Sequence, residues 1–316
     1  MNTPRGSSDS RDGSSSRGSN YSRDGSSSCG SGYSRDESGS CGSGYSLDPV
    51  PASPLVIAAV AAPTGTDSAE TGSTDALPVL HLEDTFAVVD KPAGLMVHDS
   101  KLARGESDFA ADRLREQFDR PIFLVHRLDR ATSGCLLLAF DRDTASALGK
   151  SLMAGEVDKA YLAVCRGWPA DEAFTVDHPL DGGPGKPQKK PAVTRFERLA
   201  TAELPIPSAG FETSRYALLR AWPETGRFRQ IRRHLKHLSH HLIGDTSHGD
   251  GRHNRSFRML GIHRMLLHAE QLSFPHPRDP ARRVHAVAPP DAELARALAF
   301  FAQPPDAAPT VEAESA

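Results

Sequence analysis

A threefold repeat near the start of the chain sets the firmest limit on what this sequence can fold into. The segments SRDGSSSRGSNY, SRDGSSSCGSGY and SRDESGSCGSGY follow one another from Ser10 to Tyr45. Each is rich in Ser and Gly and has almost no apolar side chains, so burial cannot offset the entropy lost when its backbone is ordered. A linker rich in Ala, Pro, Thr and Ser follows, from Pro49 to about Leu77. We therefore predict that residues 1–78 form a disordered tail and linker, and that the folded part of the chain follows them.

Residues 79–300 carry the signals of a single folded domain. Apolar runs of strand length occur in TFAVVDKPAG, PIFLVHRLD, CLLLAFDR, KAYLAVCRGW, TRFERLA, TSRYALLRAW and MLLHAEQLSF. Helical patterns occur in DTASALGKSLMAGE, RFRQIRRHLKHL and DAELARALAFFA. Because these strands do not alternate strictly with helices, the pattern predicts an α+β fold with a mixed, largely antiparallel sheet and flanking helices. We predict a second disordered tail over residues 301–316.

Composition excludes several classes of protein. The formal net charge is -3, so contact with nucleic acid would require a local basic face. None of the four cysteines forms a CxxC pair, which argues against a metal centre or a disulfide framework. The apolar stretch PLVIAAVAAP is too short to span a bilayer, and the first residues lack the apolar core of a signal peptide. We expect a cytoplasmic protein.

The segment HRLDRATSG, from His126 to Gly134, places a carboxylate on a polar turn between two apolar runs. Arginines at positions 127 and 130 flank Asp129, and a neighbouring cation favours the ionised form of a carboxylate. Such a turn can hold Asp129 at the mouth of a cleft. It can equally be a structural turn in which the aspartate caps local backbone amides. From the residues alone the two interpretations stay open.

The same segment resembles the HRLDxxTSG signature of the RluA-type pseudouridine synthases, in which the aspartate is the catalytic residue. Three further segments resemble motifs of this family in the family's order: VVDKPAGLMVH (88–98), KAYLAVCRG (159–167) and ETGRFRQIRRHL (224–235). The resemblance implies a catalytic Asp129, an active-site tyrosine at Tyr161 and an arginine at Arg232 that pairs with Asp129. One position departs from the family, because Arg229 stands where relatives usually have histidine.

The resemblance also implies an activity. Members of the family isomerise a specific uridine in structured RNA, without a cofactor or a metal, after the base has been flipped out of its stack. The later segments KKPAVTRFERLAT and LIGDTSHGDGRHNR resemble the family's tRNA-modifying branch, whose target is uridine 65 of tRNA. The expected partner is therefore tRNA, with ribosomal RNA as the alternative, and the expected state is a monomer without a membrane contact. An RNA-binding module without catalytic activity is the alternative from a different class.

Several residues are predicted to contact the RNA substrate. They are His126, Arg127, Arg130, Lys91, Arg227 and Arg229. Residues 220–236 contain six cations against one acid, and four of these lie at helical spacing on one face, which favours RNA contact over an ordinary solvated face. For Lys91 two interpretations stay equally open. In the functional one it reaches RNA phosphate or supports the Asp129 loop, and in the structural one it is a solvated turn residue beside Pro92.

Two further motifs have less specific interpretations. His234, His237, His240 and His241 form a cluster, but arginines surround them and no carboxylate is in step with them, so we do not predict a metal site. GDTSHGDG lacks the Gly-Lys-Ser/Thr ending of a phosphate-binding loop. It is predicted to be a structured turn near the active-site cleft.

Overall fold

The structure, a computed structural model, describes residues 76–98 and 107–302. The predicted tails and linker fall almost entirely outside these residues and stay predictions. The strands are β1 (Val79–Leu82), β2 (Phe86–Lys91), β3 (Phe123–Leu124), β4 (Ser133–Ala139), β5 (Asp158–Arg166), β6 (Ala173–Asp177), β7 (Leu180–Asp181), β8 (Lys189–Lys190), β9 (Val193–Leu204), β10 (Ser214–Pro223), β11 (Leu267–His276) and β12 (Asp279–Val287). The helices are α1 (Ala110–Phe118), α2 (Arg142–Ala154), α3 (Gln230–His237), α4 (Gly251–Met259) and α5 (Ala292–Ala299).

Ten of the strands form one sheet in the order β1-β2-β4-β11-β5-β10-β9-β6, with β3 paired to β4 and β12 paired to β11. The pairing of β11 with β4 is parallel, and the other pairings in the sheet are antiparallel. The strands β7 and β8 form a separate small hairpin. This arrangement confirms the predicted α+β class and its mixed, largely antiparallel sheet.

Side chains alternate along the strands and give the sheet two apolar faces. On the first face, Leu114 of α1 packs on the β2–β4 half, and Ile231 and Leu235 of α3 pack on the β5–β10 half. On the second face, α2, α4 and α5 pack through Leu148, Phe257 and Leu294 respectively. Each such side chain stabilises the fold by about 1.5–3 kcal/mol when it is fully buried. The helix α3 and the segment that leads to Asp129 therefore share the first face.

Most of the predicted elements are present, and their boundaries follow the expected signals. The side chain of Asp141 caps α2 by accepting a hydrogen bond from the Thr144 amide, and Gly155 ends the helix in the left-handed conformation. The strand expected in PIFLVHRLD is only two residues long, Phe123 and Leu124, because the chain leaves β4 to form the Asp129 turn.

Two helices do not appear in the sequence prediction. The first, α1, begins after Phe109, which offers no side-chain cap, so its start carries no sequence signal. The second, α4, lies in a polar segment that lacks apolar periodicity, although Asp250 caps it. Within residues 76–98 and 107–302, no helix has the length and apolar character needed to cross a bilayer.

Candidate active site

The turn between β3 and β4 presents Asp129, and α3 brings Arg232 to it. The Thr132 amide donates to the Asp129 carbonyl at 3.0 Å and closes the turn. Arg232 lies in the first turn of α3, and its Nη1 donates to Asp129 Oδ2 at 2.6 Å across 103 residues of sequence. The Asp129 side chain is 28% exposed whereas that of Arg232 is only 6% exposed. The arginine is thus fixed inside the protein, while the carboxylate it holds stays open to a ligand.

A second carboxylate, Asp245, holds the other side of the same guanidinium. Arg232 donates from Nε to Asp245 Oδ2 at 2.7 Å and from Nη2 to Oδ1 at 2.8 Å, and the Asp245 side chain is completely buried. Burial alone would raise the pKa of Asp245, but the bonds and charge of Arg232 and the amides of Ser247 and His248 outweigh it. The pKa of Asp245 therefore lies below its ordinary value. Sequence analysis placed Asp245 only in a turn near the cleft and did not identify it as a partner of Arg232.

Tyr161 lies on β5, on the same face of the sheet as α3. Its ring is partly buried, and it packs against both apolar clusters of that face. Burial, followed by the negative charge of Asp129, raises the pKa of Tyr161 well above its ordinary value. The side chain is therefore a neutral phenol beside Asp129.

Lys91 ends β2 and is completely buried. Its Nζ donates to the carbonyls of Pro92 at 2.6 Å, Leu95 at 2.8 Å and Arg130 at 3.2 Å. Burial, followed by the positive charge of Arg264, lowers the pKa of Lys91 to about 7. These contacts support the loop-holding role that the sequence left open, and they correct the expectation that Lys91 contacts RNA phosphate.

The Asp129 turn carries two exposed arginines and one inward-facing histidine. Arg127 Nη1 lies 3.3 Å from His98 Nε2, and Arg130 Nε donates to the Gly94 carbonyl at 2.9 Å. His126 Nε2 instead accepts from the Leu137 amide at 3.1 Å. Burial, with a smaller effect of Lys159, lowers the pKa of His126 to about 4, so its ring is neutral at pH 7. The two arginine side chains are exposed, whereas His126 contacts the sheet.

The expected basic face of residues 220–236 is divided by the fold. Arg220 pairs with Glu270 at 3.1 Å on the second face of the sheet, where Arg220 is buried and Glu270 is largely buried. Arg233 donates to Asp181 at 2.8 Å, and Arg232 is held internally as described above. The prediction of one continuous RNA-facing cluster is therefore wrong, because three of its arginines bind carboxylates within the domain.

Two predicted substrate residues remain near the surface beside α3. Arg227 Nε donates to the Pro191 carbonyl at 2.9 Å. The guanidinium of Arg229 lies 4.9 Å from the centre of the neighbouring Phe228 ring. Neither arginine touches Asp129 directly, and both border the end of α3 that carries Arg232.

The histidines of the cluster differ in their burial, because His234 is buried and His237 is exposed. His234 lies between Thr194 Oγ1 at 2.9 Å and the His178 carbonyl at 3.1 Å, and the His237 ring stacks on His178 at 3.9 Å. In the described part of the chain, no three His, Cys, Asp or Glu side chains come together in a way that could hold a metal ion.

Two surface cavities of about 390 and 290 Å³ lie elsewhere on the domain. The first is lined by residues of β6 and the end of α3, and the second lies beside Lys91, Ser133 and His268. Neither is lined by Asp129. The Asp129 side chain itself is partly exposed.

The family of the chain follows from three comparisons. Residues 85–237 match the model of the RNA pseudouridylate synthase family. The chain is 41% identical over 211 residues to tRNA pseudouridine synthase C of Vibrio cholerae serotype O1, an alignment that covers 64% of this chain and 86% of the relative. The corresponding protein of Haemophilus ducreyi is 38% identical over 211 residues, with the same coverage.

Solved structures show the same fold. Human RNA Pseudouridylate Synthase Domain Containing 1 is 26% identical, with a TM-score of 0.54 over 70% of this chain and 86% of that one. Human RNA Pseudouridylate Synthase Domain Containing 4 has a TM-score of 0.55 over 72% of this chain and 95% of that one; at 23% identity it supports the fold alone. The motif order, the fold and the relatives agree, and the chain belongs to the RNA pseudouridylate synthase family.

Proposed function

We propose that this protein isomerises a uridine of tRNA to pseudouridine, with Asp129 as the catalytic carboxylate and with Tyr161 and Arg232 as its active-site partners. The observation that carries this proposal is the 2.6 Å bond from Arg232 to a carboxylate that stays accessible. Two motifs 103 residues apart meet there. Residues 79–300 would form the catalytic domain of a cytoplasmic enzyme. The relatives named tRNA pseudouridine synthase C support tRNA as the substrate. Uridine 65 as the target is supported by the resemblance of the later segments to the tRNA-modifying branch of the family.

The reaction requires an ionised carboxylate at the ribose. The bond from uracil N1 to C1′ breaks, the base turns, and a bond from C5 to C1′ forms; the C5 proton leaves and N1 gains a proton. This demand on a carboxylate resembles that of glycoside hydrolysis. Asp129 either attacks C1′ or removes the C2′ proton, and both routes use the same charged oxygen. In either route the Arg232 guanidinium balances the charge of Asp129 and fixes its position.

Tyr161 suits a role as a neutral ring. Its raised pKa means that a phenolate is not available at neutral pH to accept the C5 proton. A phenol ring on the first face, beside Asp129, is instead suited to stack on the flipped uracil. The exposed Arg127 and Arg130 of the same turn would meet the phosphates of the RNA.

The test is Asp129→Asn, assayed by tritium release from tRNA that carries 5-tritiated uridine. We expect turnover to be lost, while affinity for tRNA stays within about tenfold because phosphate contacts dominate binding. Asp143→Asn provides a matched control, because Asp143 is exposed on α2 on the second face of the sheet. An Asp129→Asn protein with normal turnover would contradict the catalytic assignment. Activity of the wild type on ribosomal RNA alone would instead favour the rRNA alternative.

A further inference from the structure

We infer that Asp245 is a positioning residue for the reaction, which fixes the plane of the Arg232 guanidinium so that Nη1 points at Asp129. The inference rests on the proposed roles of Asp129 and Arg232. Arg232 bridges the two carboxylates with three nitrogens: Nε and Nη2 bind Asp245, and Nη1 binds Asp129. A bidentate contact sets the plane of a guanidinium, whereas the single bond to Asp129 would leave it free to swing.

Asp245 is itself immobilised by the turn that follows it. Its Oδ1 accepts hydrogen bonds from the amides of Ser247 at 2.8 Å and His248 at 2.9 Å. Its carbonyl accepts from Asn254 Nδ2 at 2.9 Å, and Asn254 Oδ1 accepts from the Gly244 amide at 2.8 Å. The buried Asn254 therefore brackets Asp245 from both sides. The carboxylate has no freedom to follow the arginine, so it is the arginine that is positioned.

The glycines of GDTSHGDG make this turn possible. Gly244 has a φ of +79°, and a Cβ there would lie 2.1 Å from the Arg264 carbonyl oxygen. A Cβ at Gly249 would lie 2.2 Å from the Asp245 carbonyl oxygen. Asp250 then caps α4 through the Arg252 amide, which places Asn254 one turn later. The motif that sequence analysis left as a structured turn is thus a cradle for Asp245.

The charges suit this role. One buried guanidinium faces two carboxylates, of which one is completely buried and the other is accessible. Arg232 therefore shares its charge, and Asp129 is held in place without being fully neutralised. A reacting carboxylate needs this combination of fixed position and retained charge.

The experiment compares Asp245→Asn with the wild type on tRNA. Asparagine keeps Oδ1 but turns an NH2 group towards Arg232 Nε, so that a donor faces a donor. We expect kcat to fall about 10- to 100-fold, because small misplacements of reacting groups cost this much. KM for tRNA should stay within about twofold. The matched control is Glu270→Gln, which disrupts the buried Arg220–Glu270 pair on the second face; its thermal stability should fall while kcat is unchanged.

A second readout does not depend on turnover. In a ¹⁵N spectrum of the wild type, the Arg232 Nε proton, identified by its loss in Arg232→Lys, should exchange slowly because it binds a buried carboxylate. In Asp245→Asn this protection should be lost. Asn254→Ala removes both hydrogen bonds by which Asn254 brackets Asp245, and it should lower kcat severalfold without a change in KM. This variant carries the test if Asp245→Asn does not fold.

Different results would contradict the proposed function and the positioning role of Asp245. If the wild type forms no pseudouridine in any RNA, the proposed function fails, while the exchange measurement still tests the hold of Asp245 on Arg232. If the wild type is active and both Asp245→Asn and Asn254→Ala keep the wild-type kcat, the positioning role fails alone. A loss of kcat in Glu270→Gln equal to that in Asp245→Asn would also overturn it, because the effect would then be a general loss of stability.

Discussion

The arginines of the Asp129 turn and those of α3 look alike in sequence, but they lie in opposite environments. Arg127 and Arg130 are exposed, and they contact His98 and the Gly94 carbonyl respectively. Arg232 and Arg233 are tied to carboxylates within the domain, and Arg232 is almost fully buried. Basic residues near one active site can therefore have two separate roles. Some fix the geometry of the catalytic group, and others contribute to the affinity for the substrate.

The two environments predict different responses to substitution. Removing one partner of a buried ion pair typically costs about 3–5 kcal/mol, because a charge is left without compensation. Exposed cations contribute little to stability, at most about 1 kcal/mol for an ion pair. Their contribution to phosphate binding depends strongly on salt. The buried Arg232 should therefore control kcat and stability, and the arginines of the turn should control KM.

The strongest test of this comparison is Arg232→Lys. Lysine keeps the charge but cannot bind Asp245 with two parallel bonds and Asp129 with a third. We expect kcat to fall about 10²- to 10³-fold, as happens when one fixed donor is removed from an active site. Steady-state kinetics on tRNA would measure the loss, with thermal denaturation to confirm folding.

Arg233→Lys is the matched control, since Arg233 is the next residue and binds the half-exposed Asp181. Its kcat should change less than about threefold. Equal losses in the two variants would break the comparison, because the effect would then belong to the helix and not to the position of one guanidinium.

Lys91→Met sharpens the comparison, because the buried Lys91 amine binds three backbone carbonyls. Methionine fills a similar volume but loses the bond to the Arg130 carbonyl, which ties β2 to the Asp129 turn. We expect kcat to fall about tenfold through displacement of Asp129, with KM for tRNA nearly unchanged. A rise in KM with constant kcat would contradict the loop-holding role of Lys91.

The sequence predicted the pairing of Asp129 with Arg232, but it did not predict the residue that positions Arg232. The family resemblance, carried by the HRLD motif and by ETGRFRQIRRHL, implied that Arg232 pairs with Asp129, and the structure joins them at 2.6 Å. Asp245 escaped prediction because its contact joins a turn residue to a helix, and no periodicity marks such a pair. The one sequence signal for Asp245 was its position in the GDTSHGDG motif, directly after Gly244.

The sequence also did not predict that Arg220 and Arg233 bind carboxylates within the domain. Arg220 and Arg233 find their carboxylates 50 and 52 residues away, on β11 and on β7. Which strands become neighbours decides these pairs, and local sequence does not specify strand order. Charge counts along a segment therefore overestimate the positive surface that an RNA would meet.

The double variant Arg127→Gln, Arg130→Gln tests the other side of the comparison, and its effect should be the smallest. Removing two exposed charges should raise KM severalfold and leave kcat within about twofold. If both arginines contact phosphate, the slope of log KM against log salt should fall by about 0.7–0.9 for each. Arg255→Gln, Arg258→Gln on α4 removes the same charge from the second face and should leave the slope unchanged. A fall in kcat with an unchanged slope would mean that the turn arginines, like Arg232, hold the carboxylate, and the division between geometry and affinity would not stand.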